Sequence, residues 1–188
     1  FNNLAKLTDE VIAVWAGILR AVPNARLLLK TQKLDDPLAR ECLEKQFIAN
    51  GIDVSRLCLE GASPRDQLLA AYRHVDIALD PFPYPGGTTS VEALWMGVPV
   101  VTRAGDRFIS HVGETIAHNA GLRDWTAADN DDYVKKAVAF AGDLKKLAAL
   151  REQLRAQVLA SPLFDAPRFA RNFAAALWGM WNETGAVR

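Results

Sequence analysis

Residues 75–102 read VDIALDPFPYPGGTTSVEALWMGVPVVT, and the local physics changes several times along them. Val75–Leu79 is a short, mostly apolar run, the mark of a strand buried on both faces. It leads into Asp80. Residues 81–89, PFPYPGGTT, hold three prolines and two glycines in nine positions. No regular element tolerates that composition, so the stretch is a loop. Ser90–Met96 then has helical spacing, Gly97 closes it, and Val98–Thr102 is a second buried strand. A strand, a helix and another strand at this spacing form a βαβ unit, whose crossover lays the two strands parallel in one sheet.

Working outward, the alternation continues. In residues 9–22 the apolar groups Val11, Val14, Trp15, Ile18, Leu19 and Val22 recur at helical spacing, with Thr8 as N-cap and Pro23-Asn24 as terminator. Ala25–Leu29 is a buried strand. Asp36-Pro37 opens a helix that Asn50-Gly51 closes, and Arg56–Leu59 is the next strand. Ser63-Pro64 starts a helix reaching about Arg73, with Ser63 as its cap. After Gly105 the pattern is mostly helical, over about 107–119, 130–141 and 143–159, with a C-terminal helix over 166–183. Leu144, Leu147, Leu150 and Leu154 share one face. Strands separated by helices of this length predict an α/β domain of the Rossmann-like, doubly wound type, its parallel sheet covered on both faces. No repeat, low-complexity tract or linker divides residues 1–188, which read as a single domain.

The composition is compatible with that fold and excludes several functions. Half of the 188 residues are hydrophobic, enough for one core. Lys plus Arg equals Asp plus Glu at 22 each, so the net charge is zero and nothing points to nucleic acid or an anionic membrane as partner. Cys42 lies in a helical pattern and Cys58 in a strand pattern; both read as buried small hydrophobes in a reducing compartment, which suits a cytoplasmic protein. There is no CxxC pair, no His/Cys cluster, no secretory signal, and no apolar run near the roughly 20 residues that span a bilayer. The chain opens on Phe1, without Met, inside sequence that reads as structured. It is expected to be a piece of a longer protein.

In open α/β sheets ligands sit beyond the C-terminal ends of the strands. The loop 81–89 leaves its strand at that edge and feeds Gly86, Gly87, Thr88 and Thr89 into a helix start. Glycines admit a ligand close to the backbone, the first helical amides are unpaired, and threonine hydroxyls add donors; together they suit a diphosphate. The local pattern leaves a second reading open, in which the glycines only turn the chain and the threonines only cap the helix. The loop is neither GxGxxG nor Walker A, which disfavours dinucleotide and P-loop readings. Glu92 lies one helical turn after Thr88, on the same face, where a carboxylate can accept from ribose hydroxyls; the helix dipole alone also favours a Glu there. Lys6, in FNNLAK, falls at the same sheet edge if a strand precedes Phe1. His74, His111 and His118 have no metal spacing, and no nucleophile elbow is present.

Three stretches resemble one family. FNNLAK with TDEVIAVWAGILRAVPNARLLLK, then VDIALDPFPYPGGTTSVEALWMGVPVVT, then SPLFDAPRFARNF are similar, in this order, to the protein O-linked N-acetylglucosaminyltransferases. The resemblance covers essentially the whole chain. It implies the second Rossmann-like domain, C-terminal, of a two-domain GT-B glycosyltransferase, often preceded by tetratricopeptide repeats. The implied reaction is inverting transfer of N-acetylglucosamine from UDP-N-acetylglucosamine to Ser or Thr of a protein acceptor, which is met mainly by the other half. By resemblance, Lys6 supports the UDP leaving group, and Asn3 holds a polar position near the diphosphate. Thr88 and Thr89 bind the diphosphate, with Gly86 and Gly87 before them, and Glu92 holds the ribose. Ala62 contacts uracil through its backbone, and Arg65 lies near the ribose. Three positions depart from the pattern: Leu68 where some members stack a His on uracil, Gly87 where some have His, and Pro85 where Asn is common. No DxD-type motif is present, so neither a metal nor another cofactor is expected. The competing readings are a related glycosyltransferase with another donor or acceptor, and a non-catalytic nucleotide-binding or scaffolding module.

Overall fold

The chain's first regular helix shows how local sequence sets the fold. In the computed structural model, which describes residues 1–185, α1 (Asp9–Ala21) begins where the Thr8 hydroxyl accepts from the Val11 amide. Asp9 and Glu10 in the first turn complement the helix dipole. One stripe of α1 buries Val11, Ile12, Trp15, Ile18 and Leu19. β1 (Leu27–Lys30) and β2 (Leu57–Glu60) pair in parallel, Leu27 opposite Leu57. Their crossover is α2 (Pro37–Ala49), capped by the Asp36 side chain at the Leu38 amide. Gly51 ends it at φ +77°, a conformation that favours glycine.

The second half repeats the pattern. After α3 (Arg65–Ala70) come β3 (Ala78–Leu79), α4 (Thr88–Trp95), β4 (Val100–Arg103), α5 (His111–Asn119) and β5 (Thr126–Ala127). The strands β3, β4 and β5 pair in parallel, in that order. α6 (Asn130–Gly142) packs on α1 and α7 (Leu144–Leu159) on α4, so helices cover both faces of the strands. Phe47, Leu94, Val98, Val101, Tyr133 and Leu154 are fully buried between the layers. α8 (Ala166–Gly185) leaves the body with Phe169, Phe173, Trp178 and Trp181 exposed. Among the described residues no helix is long and apolar enough to cross a membrane.

The α/β class and the order of elements are as expected, and several details differ. The strands form two hydrogen-bonded ladders, β1–β2 and β3–β4–β5, rather than one sheet. A cavity of about 630 Å³ lies between the ladders. β3 holds two residues, not five, and α4 starts at Thr88 rather than Ser90. β5 was hidden in a stretch that reads as mostly helical, because two residues are too short to show a period of two. α3 starts at Arg65, and the Ser63 hydroxyl is buried without a partner instead of capping it. Leu144 of the expected apolar face is exposed. Cys42 is exposed and Cys58 only half-buried, because Cys42 falls on the outer face of α2.

Candidate functional site

The site is built on Asp80, which ends the β3 segment and is buried. Its carbonyl accepts the Tyr133 hydroxyl of α6 at 2.9 Å, which fixes the backbone from below. Its Oδ1 accepts from Ser90 Oγ at 2.7 Å and from the Gly86 amide at 3.2 Å, tying both ends of the glycine turn to one carboxylate. Burial pushes the Asp80 carboxyl up to about 6, while the bonds from Ser90 and Gly86 and the charge of Lys6 hold it down. Gly86 has no room for a side chain: a Cβ there falls 2.1 Å from Ser90 Oγ and 2.8 Å from Asp80 Oδ1. Gly87 differs, since a Cβ there meets nothing within 4 Å. The chain's own packing therefore requires glycine at position 86 and leaves position 87 open.

Gly87 precedes the first turn of α4, and its carbonyl accepts the amides of Ser90 and Val91. The amides of Thr88 and Thr89 come before any such acceptor, so they stand as free donors at the positive end of the helix. Thr88 is exposed and Thr89 half-buried. Thr89 Oγ1 donates to Asn2 Oδ1 at 3.2 Å. Lys6 Nζ donates to the same Asn2 oxygen at 3.1 Å and to the Pro85 carbonyl at 2.8 Å, and lies 4.1 Å from the Tyr84 ring centroid. Burial lowers the Lys6 pKa and the Asp80 charge raises it. Lys6 thus stands at the loop, as the sequence expectation requires. An ammonium and a helix start converge there on a half-buried spot, an arrangement suited to a dianion.

One turn along α4, Glu92 Oε1 accepts from Arg65 Nη2 at 2.8 Å. The Glu92 side chain is 12% exposed and that of Arg65 70%, so the guanidinium reaches in from the rim. The structure brings these two expected residues together, facing the same edge as Thr88. Ala62 is close by on the β2–α3 loop, where its amide donates to Asp35 Oδ1 at 3.1 Å. Asp35 lies so tightly against Gly61 that a Cβ on Gly61 falls 1.7 Å from Asp35 Oδ1. Leu68 is half-buried on α3.

Asn3 is not brought into this cluster. It is exposed and caps the turn Leu4–Lys6, accepting from the Ala5 amide at 3.0 Å. Its neighbour Asn2 bridges Lys6 and Thr89 instead. In FNN the sequence offers two identical side chains, and only the turn decides which faces inward. Sequence reasoning also missed Asp80, Asp35 and Tyr72, whose hydroxyl donates to the Thr89 carbonyl at 3.2 Å. Asp80 had a signal, an acidic residue where an apolar strand meets a glycine loop; Asp35 and Tyr72 had none. Among the described residues no group of three or more His, Cys, Asp or Glu is placed to hold a metal ion. His111 pairs with Glu114 at 2.9 Å, and His118 contacts Arg123.

The comparisons with known proteins place the chain in a family. The family model described as glycosyl transferase family 41 matches residues 1–173. A tomato (Solanum lycopersicum) protein named probable UDP-N-acetylglucosamine–peptide N-acetylglucosaminyltransferase SPINDLY is 38% identical over an aligned length of 188, covering 97% of this chain and 20% of that protein. The corresponding SEC protein of Arabidopsis thaliana is 30% identical over 97% of this chain and 18% of its own length. A solved structure of a Thermobaculum terrenum O-GlcNAc transferase mutant superposes with a TM-score of 0.93 at 38% identity, covering 97% of this chain and 35% of that one. The chain therefore spans about a fifth of the length of the curated relatives it matches.

Proposed function

Because the chain belongs to glycosyl transferase family 41, we propose that it is the donor-nucleotide-binding half of a GT-B glycosyltransferase. The whole protein transfers N-acetylglucosamine from UDP-N-acetylglucosamine to Ser or Thr of a protein acceptor. The observation that carries this reading is the convergence of Lys6 and Thr89 on Asn2 at the start of α4. The diphosphate meets the amides and hydroxyls of Thr88 and Thr89. Lys6 has three N–H donors, of which Pro85 and Asn2 take two, leaving one for a phosphate oxygen. Glu92 commits Oε1 to Arg65 and keeps Oε2 for the ribose hydroxyls. Ala62 and Leu68 flank the place of the uracil, where Leu68 offers apolar contact without aromatic stacking.

In this reading the domain does electrostatic work. Negative charge grows on the diphosphate as the sugar bond breaks, and a fixed ammonium and helix start stabilise it without reorganising. That supply of positive charge dispenses with a metal or other cofactor. The acceptor and the group that takes its proton come from the other half of the cleft, in a parent protein that carries tetratricopeptide repeats and works in the cytoplasm. Calorimetric titration of the 188-residue chain with UDP, ADP and GDP tests the proposal. UDP should bind in the micromolar to millimolar range, where 1 mM corresponds to about −4 kcal/mol. Equal binding of the three, or none at millimolar concentration, would overturn it.

A further inference from the structure

The two carboxylate oxygens of Asp80 have different surroundings. Oδ1 accepts from Ser90 Oγ and from the Gly86 amide. Oδ2 is buried without a hydrogen-bond partner, and so is the Thr102 hydroxyl. The two border one spot: a Cβ on Gly113 would fall 2.0 Å from Thr102 Oγ1 and 3.1 Å from Asp80 Oδ2. A void of about 10 Å³ lies there, lined by Asp80, Ser90, Thr102, Gly113 and otherwise apolar side chains. The Thr102 hydroxyl eases the charge on Asp80 without reaching it in hydrogen-bond geometry. A hydroxyl rotates to suit its neighbour, so Thr102 can donate to an ionised Oδ2 or accept from a protonated one. The packing accommodates either state, and nearby charge decides between them.

Little charge surrounds Asp80. The titratable groups that act on it or feel it are Lys6 from the turn before α1, Tyr72 from the turn after α3, and Tyr133 of α6. Burial raises both phenols and keeps them neutral. α4 faces Asp80 with Ser90, β4 with Thr102 and α5 with Gly113, all uncharged. Glu92 is held by Arg65 at the rim, and Arg103, next along β4, pairs with Glu10. One ammonium thus opposes the burial that already pushes Asp80 up to about 6. The same ammonium belongs to the proposed diphosphate site. A Cβ on Gly86 would fall 2.6 Å from Thr89 Oγ1 and 2.8 Å from Asp80 Oδ1, so this carboxylate and the Thr89 hydroxyl border the same small space. A diphosphate bound there sets its negative charge against the field of Lys6 that keeps Asp80 ionised.

We propose, on the reading that Thr88 and Thr89 meet a diphosphate, that Asp80 takes up one proton from solvent when the nucleoside diphosphate binds and returns it when the nucleotide leaves. The proton adds to Oδ2, against Thr102 Oγ1, and no other bond is made or broken. Oδ1 still accepts from Gly86 and Ser90, so the loop keeps its shape in both states. Neutral Asp80 no longer opposes the charge on the diphosphate, and leaves Lys6 to the leaving group as the sugar bond breaks. Affinity for UDP is then greatest below about pH 6, where free Asp80 is already protonated. It falls as pH rises through that value, because binding must first draw a proton. Asparagine at position 80 imitates the protonated state: its oxygen accepts as Oδ1 does, and its amide can donate to Thr102.

The test measures UDP affinity of the full-length enzyme and of its Asp80→Asn variant from about pH 5 to about pH 8. The two should bind UDP about equally at the acid end. At the alkaline end the wild type should bind about tenfold or more weakly than Asp80→Asn, the effect of raising one bound group's pKa by about one unit. Titration of the UDP phosphate is common to both proteins and cancels in this ratio. Calorimetry near pH 7 in buffers of different ionisation enthalpy should show a proton uptake by the wild type that the variant lacks. Infrared difference spectra of the wild type should gain a protonated-carboxyl band on adding UDP. A ratio that does not change with pH while UDP binds overturns the proposal and leaves the diphosphate site standing. Binding of UDP by neither protein at millimolar concentration overturns both. Where Asp80→Asn does not fold, absence of the UDP-induced band in the wild type overturns the proposal by itself.

Discussion

Ser90 Oγ donates to Asp80 Oδ1 at 2.7 Å, both residues buried, across the base of the turn that opens α4. The same oxygen holds the Gly86 amide, so one carboxylate sets the shape of the proposed diphosphate loop. Burial raises Asp80 to about 6, above its ordinary value of 3.8. A carboxyl whose pKa is higher folded than unfolded favours the fold in its protonated form. Its contribution is fully present below about pH 4 and is lost as pH rises through about 6. In Asp80→Asn this dependence disappears, and the amide oxygen still accepts from Ser90 and Gly86. The stability of the wild type relative to Asp80→Asn should therefore fall by roughly 2–3 kcal/mol between pH 4 and pH 7, read from urea unfolding at each pH. A difference that is flat across that range contradicts a buried, raised Asp80.

The two glycines of the loop should respond oppositely. Gly86→Ala forces a Cβ against Ser90, Thr89 and Asp80, and should destabilise the fold by about 1–3 kcal/mol, the usual cost of overpacking. It should weaken UDP as well. Gly87→Ala meets open space and should stay within about 0.5 kcal/mol, as neutral surface substitutions do. Thermal unfolding and UDP titration of the pair decide it; equal losses would mean that the turn is not shaped by Asp80.

Thr89 and Glu92 should separate phosphate from ribose. Thr89→Ala removes a hydroxyl proposed to meet the diphosphate and should weaken UDP more than uridine. Glu92→Ala should weaken both alike, by roughly 1–3 kcal/mol. Arg65→Ala should matter less, because a guanidinium 70% exposed contributes little through its ion pair. If Thr89→Ala lowers uridine affinity as much as UDP affinity, the assignment fails.

Lys6 should act on the rate. Its ammonium is proposed to counter charge that grows in the transition state, so in the full-length enzyme Lys6→Ala should cut kcat by about a hundredfold or more, the scale of one preorganised donor. Donor KM should change much less. Circular dichroism should show the fold intact, since Lys6 lies in a turn outside the core. Wild-type kcat in this variant would remove Lys6 from the mechanism. The isolated 188 residues should transfer no sugar, because the proposed reaction takes place in a cleft between two halves.

The sequence by itself determined the α/β class, the element order and the loop that carries the site. Those features rest on short-range physics: helical and strand periods, proline and glycine breaks, and caps such as Thr8 and Asp36, each readable within a few residues. It also singled out Lys6, Thr88 and Thr89, which lie in the distinctive strings FNNLAK and PFPYPGGTT, and Glu92, one helical turn after Thr88. Only the tertiary structure decided which of Asn2 and Asn3 joins the site, because that depends on how one turn packs against a loop far along the chain. Asp80 carried a signal in its place between an apolar strand and a glycine loop, but its bonds could be read only from the structure, since Gly86, Ser90 and Tyr133 arrive from that loop and from two helices. The same holds for β5 and for the break between the ladders. A two-residue strand has no period to read, and which strands are neighbours depends on long-range pairing, about which local propensity says nothing.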